Sequence, residues 1–188
     1  MKKCINISIG QTTIEKKPDY DADSSYLGEY GNKLKPGCYI RSHKKFYEDI
    51  TEEDDIPNLY NRNEFNFFYP PDTGEKIGTE EYKKYALQDY ELMGGLNDQQ
   101  WSYVGIIVKT EIIVKIPAVK KQPGYTEISD TIISSVYGID DHWDKESNAY
   151  IKTIIDELKE EQKDQLLQMG FSEEEINQSF KEAKEVNL

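Results

Sequence analysis

The sequence is poor in the residue types that build most catalytic centres. It holds 2 histidines and 2 cysteines among 188 residues. His43 and His142 are too few for a histidine-rich zinc site, and Cys4 and Cys38 lie too far apart for a zinc ribbon. Either cysteine could pair with a histidine as a nucleophile, but no residue pattern around them supports it. Walker, GxGxxG and GxSxG loops are all missing, so the sequence implies no cofactor. No apolar run approaches a membrane span. After Met1-Lys2-Lys3, the stretch Cys4 to Ile9 alternates and is too short and polar for a signal-peptide core. The expectation is reduced cysteines in a cytoplasm. Basic residues are scarce as well: 23 Lys and Arg stand against 36 Asp and Glu, a net charge of −13. Direct nucleic-acid binding and docking on anionic membrane both need clustered Lys and Arg, and are excluded on that ground.

What the chain does have is aromatic mass, with 14 Tyr, 6 Phe and 2 Trp. Those rings separate it from a disordered polar chain and can supply much of a core. Ile5, Ile7 and Ile9 alternate with polar residues, which predicts a strand from Cys4 to Ile14. Lys16 to Pro36 reads as a long loop, with Tyr20, Tyr26, Leu27 and Tyr30 pinning it down. Cys38-Tyr39-Ile40 and Phe65 to Tyr69 follow as β segments. The latter is stopped by Pro70-Pro71. The acidic run Glu52 to Asp55 lies between them.

Thr79 is a predicted N-cap for a helix ending near Met93, with Tyr82, Tyr85, Ala86, Tyr90 and Met93 on one face and Gly94-Gly95 as its stop. Trp101 to Ile116 is the strongest β segment, with a bulge or close approach expected at Gly105 and Pro117 as its end. Tyr125 to Ile139 is a further strand. From Ser147, read as an N-cap, the period changes to 3.6. Ile151, Ile154, Ile155, Leu158, Leu166 and Leu167 form the apolar stripe. Gly170 ends this helix. Ser172 and Glu175 form a capping box for a last helix carrying Ile176, Phe180 and Ala183. The expected fold class is α+β: one domain over 1–188, an antiparallel or mixed sheet with a central helix, and an acidic helical part over 147–188.

Charge is unevenly spread. Residues 1–62 carry a net of −1, residues 63–121 a net of −2, and residues 122–188 a net of −10. On the long helix Glu157, Glu160, Glu161 and Asp164 fall at i, i+3, i+4 and i+7, an acidic stripe offset from the apolar one. Such a stripe is ordinarily a solvated face. The functional alternative is a surface that occupies a basic groove, as nucleic-acid mimics do, although Lys159 and Lys163 interrupt the row.

Other patterns are weaker. Asp19, Asp21 and Asp23 alternate like a calcium loop, but Ser24 and Tyr30 stand where that loop needs Gly and Glu. Asp140-Asp141-His142-Trp143-Asp144-Lys145-Glu146 is the densest cluster of functional groups, suited either to a divalent cation or to a polar connection. Pro71-Asp72 with Glu81-Tyr82-Lys83 meets the PD-(D/E)xK nuclease spacing, but on a predicted helix rather than a strand. Leu167 to Ser172 is similar to the Met-Gly-Phe loop of ubiquitin-associated domains and reads here as helix punctuation.

Taken in order, several blocks resemble a family of uncharacterised proteins encoded by phages, prophages, plasmids and bacterial genomes. Asp21 to Tyr30 resembles its "DxDxSYLGEY" segment, and Lys35-Pro36-Gly37 with Arg41 its "KPGAIDR", from which Cys38-Tyr39-Ile40 departs. Gln88-Asp89-Tyr90 and Trp101 to Ile106 are similar to "QDYxRMExYNxGDWxFIGI", with Gln99-Gln100 in place of Gly-Asp. Ser134 to Asp141 resembles "SGGLWGIESDSD", and Tyr150 with Leu167 to Phe171 resembles "Y…LxxLGF". The resemblance covers roughly 18–171. It implies an accessory protein of a mobile element, in which the Asp19–Asp23 and Gly138–Asp144 blocks order loops.

Charge and resemblance together lead to one expectation. The chain is a non-enzymatic interaction protein of the host bacterial cytosol that binds and inhibits a basic nucleic-acid-handling protein, such as a CRISPR effector or another defence nuclease. Its candidate contact residues are Glu157, Glu160, Glu161, Asp164, Asp140, Asp141, Trp143 and Asp144; no metal or catalytic residue is assigned. The alternatives are a small metal-dependent hydrolase or nuclease using Asp140–Glu146, and a structural accessory protein.

Overall fold

The computed structural model describes residues 5–51, 66–117, 125–141 and 145–188. In chain order the elements are β1 (Asn6–Pro18), β2 (Glu29–Gly31), β3 (Tyr39–Ile40), β4 (Lys45–Phe46), β5 (Phe67–Tyr69), α1 (Glu80–Asn97), β6 (Ser102–Pro117), β7 (Tyr125–Asp141), α2 (Lys145–Gln168), α3 (Glu173–Lys181) and β8 (Lys184–Val186). The architecture is α+β, with two four-stranded sheets. Contacts gather the chain into two compact units. The first takes its described residues from Met1–Ala22 and Ser102–Leu188, the second from Asp23–Trp101.

The first unit is a mixed sheet in the order β7-β6-β1-β8. The apolar run of β6 makes it a central strand, antiparallel to both β1 and β7. The irregularity expected at Gly105 is present, because the β6–β7 register shifts between Val104 and Ile106. Tyr137 lies over this glycine, and a Cβ there would sit 2.3 Å from the ring. Gly138 completes the bulge with a φ of 76°, and its N–H donates to Asp19 Oδ2 at 2.9 Å.

β1 is longer than its alternation suggests and runs through the expected loop start to Pro18. Its register with β6 shifts between Ile9 and Thr12, which changes the parity of the inward side chains. Beyond the shift the even positions Thr12, Ile14 and Lys16 are buried.

Both C-terminal helices pack on this sheet. Ile151, Ile154 and Leu158 of α2 meet Ile14, Val104, Ile106, Val108 and Ile139. Leu166, Phe171 and Ile176 meet Ile112. Each such side chain contributes roughly 1.5–3 kcal/mol on burial. Four polar side chains bond one another between strands and helices. Thr12 Oγ1 lies 3.1 Å from Thr110 Oγ1 and 2.5 Å from Ser179 Oγ, while Thr110 donates to Gln162 Oε1 at 2.6 Å. Gln162 Nε2 in turn donates to the Val108 carbonyl at 2.7 Å. This satisfied network fixes how α2 and α3 sit on β1 and β6.

Three expectations for this region are corrected. Ser147 is not the N-cap of α2: the helix starts at Lys145, and Ser147 lies one turn before Ile151 on the inward face, buried. Ala183 lies past the end of α3 and packs against the Ile14–Leu158 cluster from outside the helix. The chain then forms β8, unforeseen in the sequence, which pairs parallel to β1 at Thr13–Glu15. Gly170, with a φ of 92°, and the capping box of Ser172 and Glu175 stand as expected.

The second unit is an antiparallel sheet in the order β2-β5-β3-β4, together with α1. Its core is largely aromatic. Tyr90 of α1 lies 4.9 Å from Tyr39 and 5.4 Å from Phe68 between ring centroids, and Tyr30 packs on Phe68 at 5.5 Å. Thr79 caps α1 by accepting the Tyr82 N–H. The helix does not stop at Gly94-Gly95 but continues to Asn97. Gly95 serves packing instead: a Cβ there would lie 3.0 Å from the Trp101 ring, whose Nε1 donates to the Leu92 carbonyl. Tyr20, Tyr26 and Tyr85, expected to pack inward, are exposed, whereas Leu27 is buried.

Candidate interaction surface

The acids of α2 lie beside its apolar stripe, on the exposed part of the helix. Ser147, Ile151, Ile154, Leu158, Gln162 and Leu166 are buried at three- and four-residue spacing. Glu157, Glu160, Glu161 and Asp164 fall between those positions and are all exposed. A 3.6-residue period leaves acids at these positions no route to the sheet, so the stripe legible in the sequence lies on the surface.

The flank of α2 nearer β1 and β8 is marked by a cavity of about 260 Å³, lined by Lys16, Ile155, Lys159, Glu185 and Leu188 among others. Ile155 and Lys159 lie on that flank. Glu157 and Glu161, about half a turn away, lie on the flank nearer β7, with Tyr150 in line and exposed. β7 is the edge strand below this flank, and no described strand pairs with its outer side.

The remaining candidates separate. Asp140 is half-buried. Asp141 does not belong to an exposed contact patch: it is fully buried, and its Oδ2 lies 3.1 Å from Lys16 Nζ. Its place on the inward face at the end of β7, opposite Ser102, puts it there. Trp143 and Asp144, with His142, lie outside the described residues, as do Cys4 and the acidic run Glu52 to Asp55. Among the described residues, no group of three or more His, Cys, Asp and Glu side chains is arranged to hold a metal.

The aspartates of the Asp19–Asp23 block order the backbone. Asp19 accepts from the Asp21 and Gly138 N–H groups, and Asp23 accepts from the Ser25 N–H at 2.8 Å, a bond that lowers the Asp23 pKa. The nuclease-like pattern falls on α1, where Lys83 pairs with Asp49 at 2.6 Å and Tyr82 is buried. Asp72 accepts from the Gly74 N–H in a turn. Cys38 is buried against Ile40 and Phe67, and that burial pushes its thiol pKa up, the reverse of what a nucleophile needs.

Sequence reasoning also missed a groove of about 670 Å³ in the second unit. Lys44, Lys45, Lys83 and Lys84 line it, gathered from the β3–β4 turn and α1. Asp49, Glu80 and Glu91 line it too, and Lys83 is already committed to Asp49 and Glu80, so its charge is largely compensated from within.

No family model, curated protein or solved structure matches this chain. Among the described residues, no helix is long and apolar enough to cross a membrane.

Proposed function

We propose that the protein is a non-enzymatic interaction protein that binds a basic nucleic-acid-handling protein and inhibits it. A CRISPR effector or another defence nuclease in a bacterial cytosol is the kind of target that fits. The carrying observation is the exposed row Glu157, Glu160, Glu161 and Asp164 on a helix whose other face is locked to the sheet. A fixed row of carboxylates speeds encounter with a cationic groove and orients it, because complementary charge acts on the association rate and on register. The resemblance of the SYLGEY and Gly138–Asp141 blocks to proteins of phages and plasmids gives this reading its biological setting. Against the hydrolase alternative stands Asp141, whose carboxylate faces a buried ammonium rather than an open site.

The test is affinity capture from a bacterial lysate at low and high salt. Recovery of a basic nucleic-acid-handling protein at low salt, lost at high salt and lost when all four acids are replaced by Lys, is the expected result. Capture that is indifferent to the four replacements overturns the reading.

A further inference from the structure

β7 is an edge strand of 17 residues, and most of it lacks the devices that usually protect an edge. It contains no proline and no lysine, and Thr131 to Tyr137 carries no charge at all. Its one irregularity is the bulge at Tyr137-Gly138. Ile133 and Tyr137 are more than half exposed on the sheet face away from the helices.

The polarity of the edge can be read from one bond. The Thr131 N–H donates to the Asp130 carboxylate at 2.8 Å, so it does not enter the β6 ladder. In an antiparallel pair a residue bonds its partner strand with both backbone groups or with neither. Ser129, Ile133 and Ser135 therefore present N–H and C=O outward like Thr131, while Ile132 and Ser134 face β6.

Above this edge rises the α2 flank with Glu157 and Glu161. A strand laid along β7 would turn alternate side chains toward those two carboxylates. Its other side chains would lie beside Ile133, Ser135 and Tyr137. A second copy of this chain is a poor occupant, since its β7 would bring Glu127, Asp130 and Asp140 and no cation.

We infer that β7 takes up an extended segment of a protein partner by strand addition, and that the segment alternates basic residues with apolar or β-branched ones. The inference rests on the reading above as an acidic interaction protein and specifies how contact is made: backbone bonding supplies affinity, and the Glu157–Glu161 overhang supplies sequence preference.

The probe is a capped nine-residue peptide alternating Lys and Val, titrated into the isotope-labelled full chain. Slowed amide exchange at residues 129–136 is expected, with shift changes there, at Tyr137 and along Glu157–Glu161. The same peptide methylated at every backbone nitrogen keeps its charge and side chains but cannot pair, and is expected to bind at least about tenfold more weakly. Ser135→Pro, which removes an outward donor and leaves the β6 ladder intact, is expected to weaken the parent peptide while leaving the melting temperature nearly unchanged. Glu157→Lys with Glu161→Lys is expected to weaken it as well.

Equal binding of parent and methylated peptides overturns strand addition while leaving the charge-driven reading of function in place. No binding of the parent, or shifts confined to other residues, overturns it too. So does a concentration-dependent dimer that protects the same amides without peptide, which assigns the edge to a second copy.

Discussion

Lys16 Nζ and Asp141 Oδ2 lie 3.1 Å apart across a separation of 125 positions, with both side chains buried beside the inward face of the first sheet. The pair joins the end of β1 to the end of β7 over the intervening β6. Removing one partner strands a charge in low dielectric. Asp141→Ala is expected to destabilise the protein by about 3–5 kcal/mol in urea unfolding. The double replacement Lys16→Met with Asp141→Leu should recover most of that loss. A single replacement that leaves the midpoint unmoved would show that the pair carries little.

Gly94 and Gly95 are adjacent in α1 but differ in surroundings. Nothing lies within 4 Å of a Cβ at Gly94, whereas one at Gly95 meets the buried, hydrogen-bonded Trp101 at 3.0 Å. Gly94→Ala is expected to stabilise by about 0.5–1 kcal/mol through helix propensity alone. Gly95→Ala is expected to cost about 1 kcal/mol or more through overpacking. Equal stabilisation by both variants in thermal melts would contradict the packing role of Gly95.

Glu15 and Glu175 join Asp23 among the carboxylates that contribute to the response to acid. Lys109 and then Lys17 hold the Glu15 pKa below its ordinary value, and Ser172 does the same for Glu175 through side-chain and backbone bonds. A lowered folded pKa gives stability that is full above the unfolded value and is lost as pH falls through the folded one. Stability should therefore decline as pH drops below about 4.3, the ordinary glutamate value. Glu15→Gln and Glu175→Gln should each flatten that decline in chemical denaturation at graded pH.

Cys38 is expected to be inert in the native state, because burial raises its thiol pKa and limits access. In a Cys4→Ser background, a thiol reagent should label Cys38 only at the rate of unfolding. Rapid stoichiometric labelling at neutral pH would overturn this.

The parts legible in the sequence were those whose cause is local. The run of β6, the Gly105 irregularity, the Thr79 cap and the Ser172–Glu175 box each follow from residues a few positions apart. So did the exposure of the α2 acids, since a 3.6-residue period carries it. The features that escaped depend on distant partners. The end of β1 was hidden because a register shift after Ile9 breaks the alternation. Gly94-Gly95 resembles a helix stop until Trp101 is placed beside it. β8 is three residues without pattern, held by β1. Asp141 resembles its neighbour Asp140 in sequence, and only Lys16 from the far end of the chain distinguishes it. Of the boundaries between the two units, Ala22-Asp23 falls inside the expected Lys16–Pro36 loop, whereas Trp101-Ser102 falls inside the expected Trp101–Ile116 strand and carries no signal.

The placement of β1 between β6 and β8 also constrains the order of events during synthesis. β1 is made before the rest of its sheet, and its neighbours on both sides are encoded after the entire 23–101 stretch. The contiguous Asp23–Trp101 unit has all its strands in hand long before that and can settle while translation continues. β1 must wait with one edge open until Lys184–Val186 emerges, so the sheet of the first unit closes only after both helices that pack on it have been made.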